Sequence, residues 1–124
     1  MEISKELASS VLGLNVAYTE RCEHRDNIIG IWADMNTKPI KEINIYEFAF
    51  KCKEWAISKN YSLMSRQARE YDLCPRLTYK QVGICNILIN DSPDVSKNIL
   101  IENTEIEAII KACEWILERS KCQN

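Results

Sequence analysis

The stretch from Ile43 to Asn60, INIYEFAFKCKEWAISKN, decides the fold because it carries the start, the buried face and the end of one amphipathic helix. Asn44 is suited to the N-cap, and Glu47, three residues later, completes a capping box. Apolar residues then recur at helical spacing, which requires a cover for one side of the helix, and a sheet is the expected cover. These residues are Ile45, Phe48, Ala49, Cys52, Trp55 and Ala56. Asn60 is suited to a left-handed C-cap, where the helix is expected to end.

Two further helices flank this one. Near the C-terminus, Thr104 and Glu107 stand in capping-box register, and apolar residues at helical spacing follow as far as Leu117. Near the N-terminus, apolar residues between Ile3 and Val11 predict a short helix that ends at Gly13. The sequence therefore predicts two long helices and one short helix.

The remaining apolar runs predict strands. They cover residues 28–33, 61–65, 77–90 and 99–101, and the long run from Leu77 to Asn90 is the expected central strand. Gly30 and Gly83 each indicate a bulge or a close backbone approach. Polar segments from Thr19 to Asn27 and from Arg66 to Arg76 are expected to be a turn and a loop. The prediction is one α+β domain over residues 1–124, an α/β sandwich with an antiparallel sheet of about three to five strands.

Composition narrows the class of protein. A formal net charge of −2 argues against a strong nucleic-acid binder, although it leaves a local basic patch open. No apolar run approaches the ~20 residues of a membrane span, and the N-terminus lacks the apolar segment of a signal peptide. We therefore expect no membrane association and a cytoplasmic location, where the six cysteines remain free thiols.

Cys22 and His24 form the sharpest local chemical motif, because thiolate and imidazole are both zinc ligands. A complete zinc site would need distant groups to converge, and no recognisable motif of a thiol enzyme surrounds any cysteine. The three glycines cannot form a phosphate-binding motif. The sequence thus predicts no enzyme, no catalytic residue, no metal and no cofactor. A small metal or thiol enzyme centred on Cys22 and His24 is kept as an alternative.

Partner binding is predicted for the segment between Arg66 and Arg76. Arg66, Arg69, Tyr71 and Arg76 are residue types enriched at binding hot spots. The same segment would carry the alternative function of a nucleic-acid-associated protein.

Homodimer formation is a further hypothesis. It would use the second faces of the long helices, at Tyr46, Phe50 and Ile57 or at Ala108 and Trp115, which are expected to be partly exposed. The three tryptophans, Trp32, Trp55 and Trp115, are predicted to anchor the core.

Three segments resemble the phage ABA sandwich domain family. They are LASSVLGL at residues 7–14, the amphipathic helix and following strand at 45–63, and TEIEAIIKA at 104–112. The resemblance implies an α/β sandwich encoded by phage or prophage genes and transfers no catalytic residue. We therefore predict a non-enzymatic accessory protein that binds a host or phage protein in the cytosol of a bacterial host. One version of this prediction is inhibition of a host defence system such as CRISPR.

Overall fold

Helices and strands are interspersed along the chain in the computed structural model, which describes residues 3–21, 27–34, 38–73, 76, 78–89 and 99–122. The order of the elements is α1 (Lys5–Leu12), β1 (Tyr18–Arg21), β2 (Ile28–Trp32), β3 (Lys41–Asn44), α2 (Ile45–Ser58), β4 (Tyr61–Arg69), α3 (Glu70–Leu73), β5 (Gln81–Ile89), β6 (Ile99–Glu102) and α4 (Glu105–Cys122).

Within the described residues, the strands form two antiparallel sheets of three strands each, in the orders β1-β2-β3 and β4-β5-β6. The predicted α+β class with antiparallel strands and two long helices is therefore confirmed. The prediction of one sheet is corrected to two. Local sequence patterns identify strands but do not say which strands pair, because pairing partners lie far apart in the chain.

In the second sheet, β5 is the central strand, as the long run at residues 77–90 predicted. β4 pairs with it in unbroken register from Tyr61 opposite Ile89 to Arg69 opposite Gln81. The predicted loop at Arg66–Arg76 is therefore wrong for residues 66–73, because residues 66–69 continue the strand and residues 70–73 form α3.

In the first sheet, two short strands, β1 and β3, flank β2. β1 occupies residues 18–21, which overlap the start of the predicted turn at 19–27, and β3 occupies residues 41–44, directly before α2. Both pair with the apolar strand β2, which the sequence did predict. Pairing with β2 holds these polar segments in the strand conformation.

The predicted helix ends are confirmed at three positions. The Asn44 side chain accepts a hydrogen bond of 2.8 Å from the backbone N–H of Tyr46 at the start of α2. Asn60, just beyond α2, has a positive φ of 69°. Gly13 follows α1 with a φ of 67°. All six residues of the predicted α2 stripe are buried.

One hydrophobic cluster joins both sheets to the helices. It contains Ile29, Ile31 and Ile43 of the first sheet, Cys85 and Ile87 of β5, and the inward sides of α1, α2 and α4. A Cβ atom added to Gly83 of β5 would lie 2.0 Å from the backbone nitrogen of Glu105, at the start of α4. Gly83 therefore marks a close backbone approach and not a bulge.

Candidate partner-binding surface

The second sheet has one side covered by helices and a second side turned away from them. Cys85 and Ile87 of β5 belong to the core. Side chains alternate along a strand, so Val82, Ile84 and Asn86 lie on the opposite side. The register places Arg66 and Ile101 beside Ile84, and Met64 and Ile99 beside Asn86. We call the surface formed by Met64, Arg66, Ile84, Asn86, Ile99 and Ile101 the outer sheet face.

The outer sheet face exposes large apolar side chains. Met64 is 62% exposed, Ile99 45% and Ile101 51%, whereas Ile84 in the central strand is buried between its neighbours. Adjacent exposed apolar side chains of this size are typical of interaction sites. Arg66 lies among them and is itself exposed. The sequence signal that could have found this surface is the run Ile99-Leu100-Ile101, because consecutive apolar residues in a strand place apolar side chains on both of its sides.

The structure places the predicted binding residues on opposite sides of β4 and beyond its end. Arg66 lies on the outer sheet face, while Arg69, an odd number of positions later, points to the other side of β4. Arg69 Nε donates to Asp72 Oδ2 at 3.3 Å, and its guanidinium carbon lies 5.8 Å from the centre of the Tyr79 ring. Arg76 is exposed in a turn. The backbone of Tyr71 lies in α3, and its side chain is outside the described part of the structure.

A shallow recess adjoins the outer sheet face beside α3. Leu73 and Lys80 line it together with Val82 and Ile101. The Lys80 ammonium donates to the Asn103 side-chain oxygen at 3.2 Å. This hydrogen bond links the residue before β5 to the turn before α4. The recess extends the apolar surface around Ile101 towards the end of the sheet.

Three cysteines pack inside the core. Cys52, Cys85 and Cys113 are fully buried, and Cys113 Sγ donates to the backbone oxygen of Cys52 at 3.5 Å. Burial raises the pKa of the Cys85 thiol to about 12. The hydrogen bond with Cys113, followed by burial, also raises the pKa of Cys52. Both groups stay protonated at neutral pH and pack as small hydrophobic side chains, since only a thiolate is a good nucleophile.

Cys22 and His24, the centre of the alternative metal or thiol enzyme, lie outside the described residues. Within the described ranges, no three side chains of His, Cys, Asp or Glu are grouped so that they could hold a metal ion. Among the helices described, none combines the length and the apolar character needed to cross a bilayer.

α2 also exposes a second apolar stripe. Tyr46 is 57% exposed, Phe50 65% and Ile57 61%, as the sequence predicted. Ala108 of α4 was expected to be partly exposed as well, and this is wrong because it is completely buried in the core cluster. Trp115 is half-buried between the edge of the Tyr61 ring and the Arg119 guanidinium.

Trp55 is a buried core residue, in agreement with its predicted role. Trp32 is half-buried and packs on Tyr18, with 5.3 Å between the ring centres. It therefore lies at the side of the first sheet that carries Gly30 rather than with Ile29 and Ile31 in the core.

Comparison of the chain with protein-family models, curated proteins and solved structures found no match in any of the three.

Proposed function

We propose that this chain is a non-enzymatic, phage- or prophage-encoded accessory protein that acts by binding a host or phage protein through its outer sheet face. The observation that carries the proposal is the exposure of Met64, Ile99 and Ile101 around Arg66 on one side of a regular sheet. An arginine surrounded by apolar side chains has the composition of a binding hot spot. The sequence resemblance to the phage ABA sandwich domain supports the phage origin.

Protein is a better match than nucleic acid for the chemistry of this face. A phosphate-binding surface requires several cations on the same side, and the outer sheet face has Arg66 among apolar side chains. Arg69 points to the other side and is paired with Asp72. Inhibition of a host defence protein is one form that this binding would take, because such inhibition needs only a surface of matching shape and no catalytic group.

The test is an affinity capture from lysates of infected and uninfected bacterial cells. Wild-type chain is compared with Ile101→Asp, which places a charge in the outer sheet face, and with Ile40→Asp, which places a charge at an equally exposed apolar residue beside the first sheet. We expect a specific protein to be retained by the wild type and by Ile40→Asp and to be reduced roughly tenfold or more with Ile101→Asp.

Circular dichroism first confirms that both variants are folded. Equal capture by all three proteins would contradict the proposed face. A titration of the purified chain with DNA and RNA at two salt concentrations tests the nucleic-acid alternative, because binding driven by phosphate contacts weakens steeply with salt.

A further inference from the structure

The helix layer is wider than the sheet that it covers. α4 packs on all three strands of the second sheet, and most extensively on β5, whereas α2 packs on α4 and β4. Packed helices lie about 8–10 Å apart and paired strands about 4.8 Å apart. Because α4 lies over β5, its neighbour α2 is displaced from β5 by roughly two strand spacings. This places α2 about one spacing beyond β4, over the position that a fourth strand would occupy.

β4 presents a long unpaired edge to this position. It pairs only with β5 in the described part of the chain, and its nine residues contain no bulge, glycine or proline. The other edge strands, β1, β3 and β6, have four residues each. Natural edge strands are usually short or interrupted, because a long regular edge is ready to pair with another chain.

The hydrogen-bond pattern identifies the backbone groups at this edge. The backbone N–H of Glu70 donates to the Lys80 oxygen at 2.8 Å, so these residues form a hydrogen-bonded pair at the end of the β4–β5 ladder. Such pairs alternate along antiparallel strands. Met64, Arg66 and Ala68 therefore bond to β5, and the backbone groups of Leu63, Ser65 and Gln67 point to the open edge.

The exposed stripe of α2 faces the same position. Tyr46, Phe50, Lys53 and Ile57 follow one another at helical spacing on one side of the helix. Lys53 in this stripe is half-buried, whereas Lys51 and Trp55 on the other flank of α2 line a recess with Val11 of α1. Tyr46, Phe50 and Ile57 are exposed because no strand in the described part of the chain lies below them.

We propose that β4 accepts an extended peptide segment of the protein partner as a fourth strand, held between the β4 edge and the overhanging stripe of α2. This inference rests on the proposed protein-binding function and names its mode. Alternate side chains of the bound segment point towards Phe50 and its neighbours and are apolar. The intervening side chains lie beside Arg66 on the outer sheet face, where a carboxylate gives the best match of charge.

A second copy of this chain does not fit the same position. Antiparallel pairing of two β4 strands places the two-fold axis half a strand spacing outside β4 and keeps both helix layers on the same side of the sheet. Because α2 already extends about one spacing beyond β4, the two copies of α2 would overlap. The occupant is therefore a single strand without its own helix layer above it.

Amide hydrogen exchange of the free chain tests the open edge. We expect fast exchange at Leu63, Ser65 and Gln67 and slow exchange at Met64, Arg66 and Ala68, because only the second group is bonded to β5. Slow exchange in both groups would show that the edge is already occupied and would overturn the proposal.

The binding test uses a displayed library of random twelve-residue peptides, selected on the immobilised full-length chain. We expect enriched peptides to alternate apolar with acidic residues and to slow the exchange of the Leu63, Ser65 and Gln67 amides. Gln67→Pro removes one backbone donor at the edge and leaves the β5 ladder intact. It should weaken binding of a selected peptide roughly tenfold, whereas Gln67→Ala, which keeps the donor, should change binding by less than about twofold.

Phe50→Asp places a charge on the exposed stripe of α2 and so tests the helix side of the proposed peptide site independently of Gln67. It should weaken binding of the selected peptide, whereas Ile40→Asp, its matched control, should not. Selection of no alternating peptide, or equal binding by Gln67→Pro and Gln67→Ala, would overturn strand addition. The proposed function would fail separately, if Ile101→Asp captured the same protein from lysate as the wild type. The two failures are therefore distinguishable.

Discussion

At the scale of one residue, Gly83 sets how closely α4 approaches the second sheet. A Cβ atom at this position would lie 2.0 Å from backbone atoms of Thr104 and Glu105, a distance that requires the start of the helix to move. We predict that Gly83→Ala lowers the free energy of unfolding by at least about 2 kcal/mol, because the obstructing atoms are backbone and cannot rotate away. Urea denaturation followed by circular dichroism measures the loss.

Gly30→Ala is the matched control for this prediction. Its added Cβ would meet the end of the Trp32 side chain at 2.7 Å, and a side chain on the surface of a sheet can turn aside. The loss should therefore be clearly smaller than for Gly83→Ala. Equal losses for the two substitutions would contradict the assignment of Gly83 as the contact point of α4.

Both glycines also show what could not be predicted from the sequence at this scale. The sequence marked each as either a bulge or a close approach and could not choose between them. The answer depends on what lies above each residue. For Gly83 that neighbour is the backbone of Glu105, which is distant in sequence, while for Gly30 it is the ring of nearby Trp32.

At the scale of elements, the short helix α1 is fixed to α4 through Ser4. The Ser4 hydroxyl donates to Glu114 Oε1 at 2.9 Å and accepts from the backbone N–H of Leu7 at 3.1 Å. It therefore caps one helix and ties it to another. We predict that Ser4→Ala lowers the free energy of unfolding by about 1–2 kcal/mol, through loss of the cap and of the bond to the half-buried carboxylate. Chemical denaturation checks the value.

Ser10→Ala, at an exposed position of the same helix, is the control and should change stability by less than about 0.5 kcal/mol. Glu114→Gln retains a hydrogen-bond acceptor for Ser4 and should lose less than Ser4→Ala. If Ser4→Ala changed the free energy of unfolding as little as Ser10→Ala does, the hydrogen bond between Ser4 and Glu114 would contribute nothing to stability.

The helices could be predicted from the sequence far better than the sheets. A cap such as Asn44 and a stripe such as Phe48, Cys52 and Trp55 act within a few residues, so the chain segment itself carries the signal. β1, β3 and the second half of β4 are polar segments that become strands by pairing with β2 or β5. Arg66 was predicted in a loop for this reason, and its role in binding stays a prediction.

At the scale of the whole molecule, two separate sheets share one core. Ile31 of β2 and Ile87 of β5 are both completely buried, and both belong to the cluster that α2 and α4 complete. In the described part of the chain, the two long helices α2 and α4 pack on the inner side of the second sheet and leave the outer sheet face and the edge of β4 exposed. The packing that stabilises the fold thus determines which apolar side chains remain exposed.

A shared core predicts that the two sheets unfold together. Ile31→Ala and Ile87→Ala should each lower the free energy of unfolding by about 2–5 kcal/mol, because each deletes buried methyl groups and leaves a cavity. Both variants should retain a single transition, with circular dichroism and tryptophan fluorescence giving the same midpoint, since Trp32 reports on the first sheet and Trp115 on the second. A first sheet that melted separately in Ile31→Ala would produce an early change in fluorescence before the main transition. That result would divide the core in two and would mean that the second sheet, with its proposed partner-binding surface, is stable without the first.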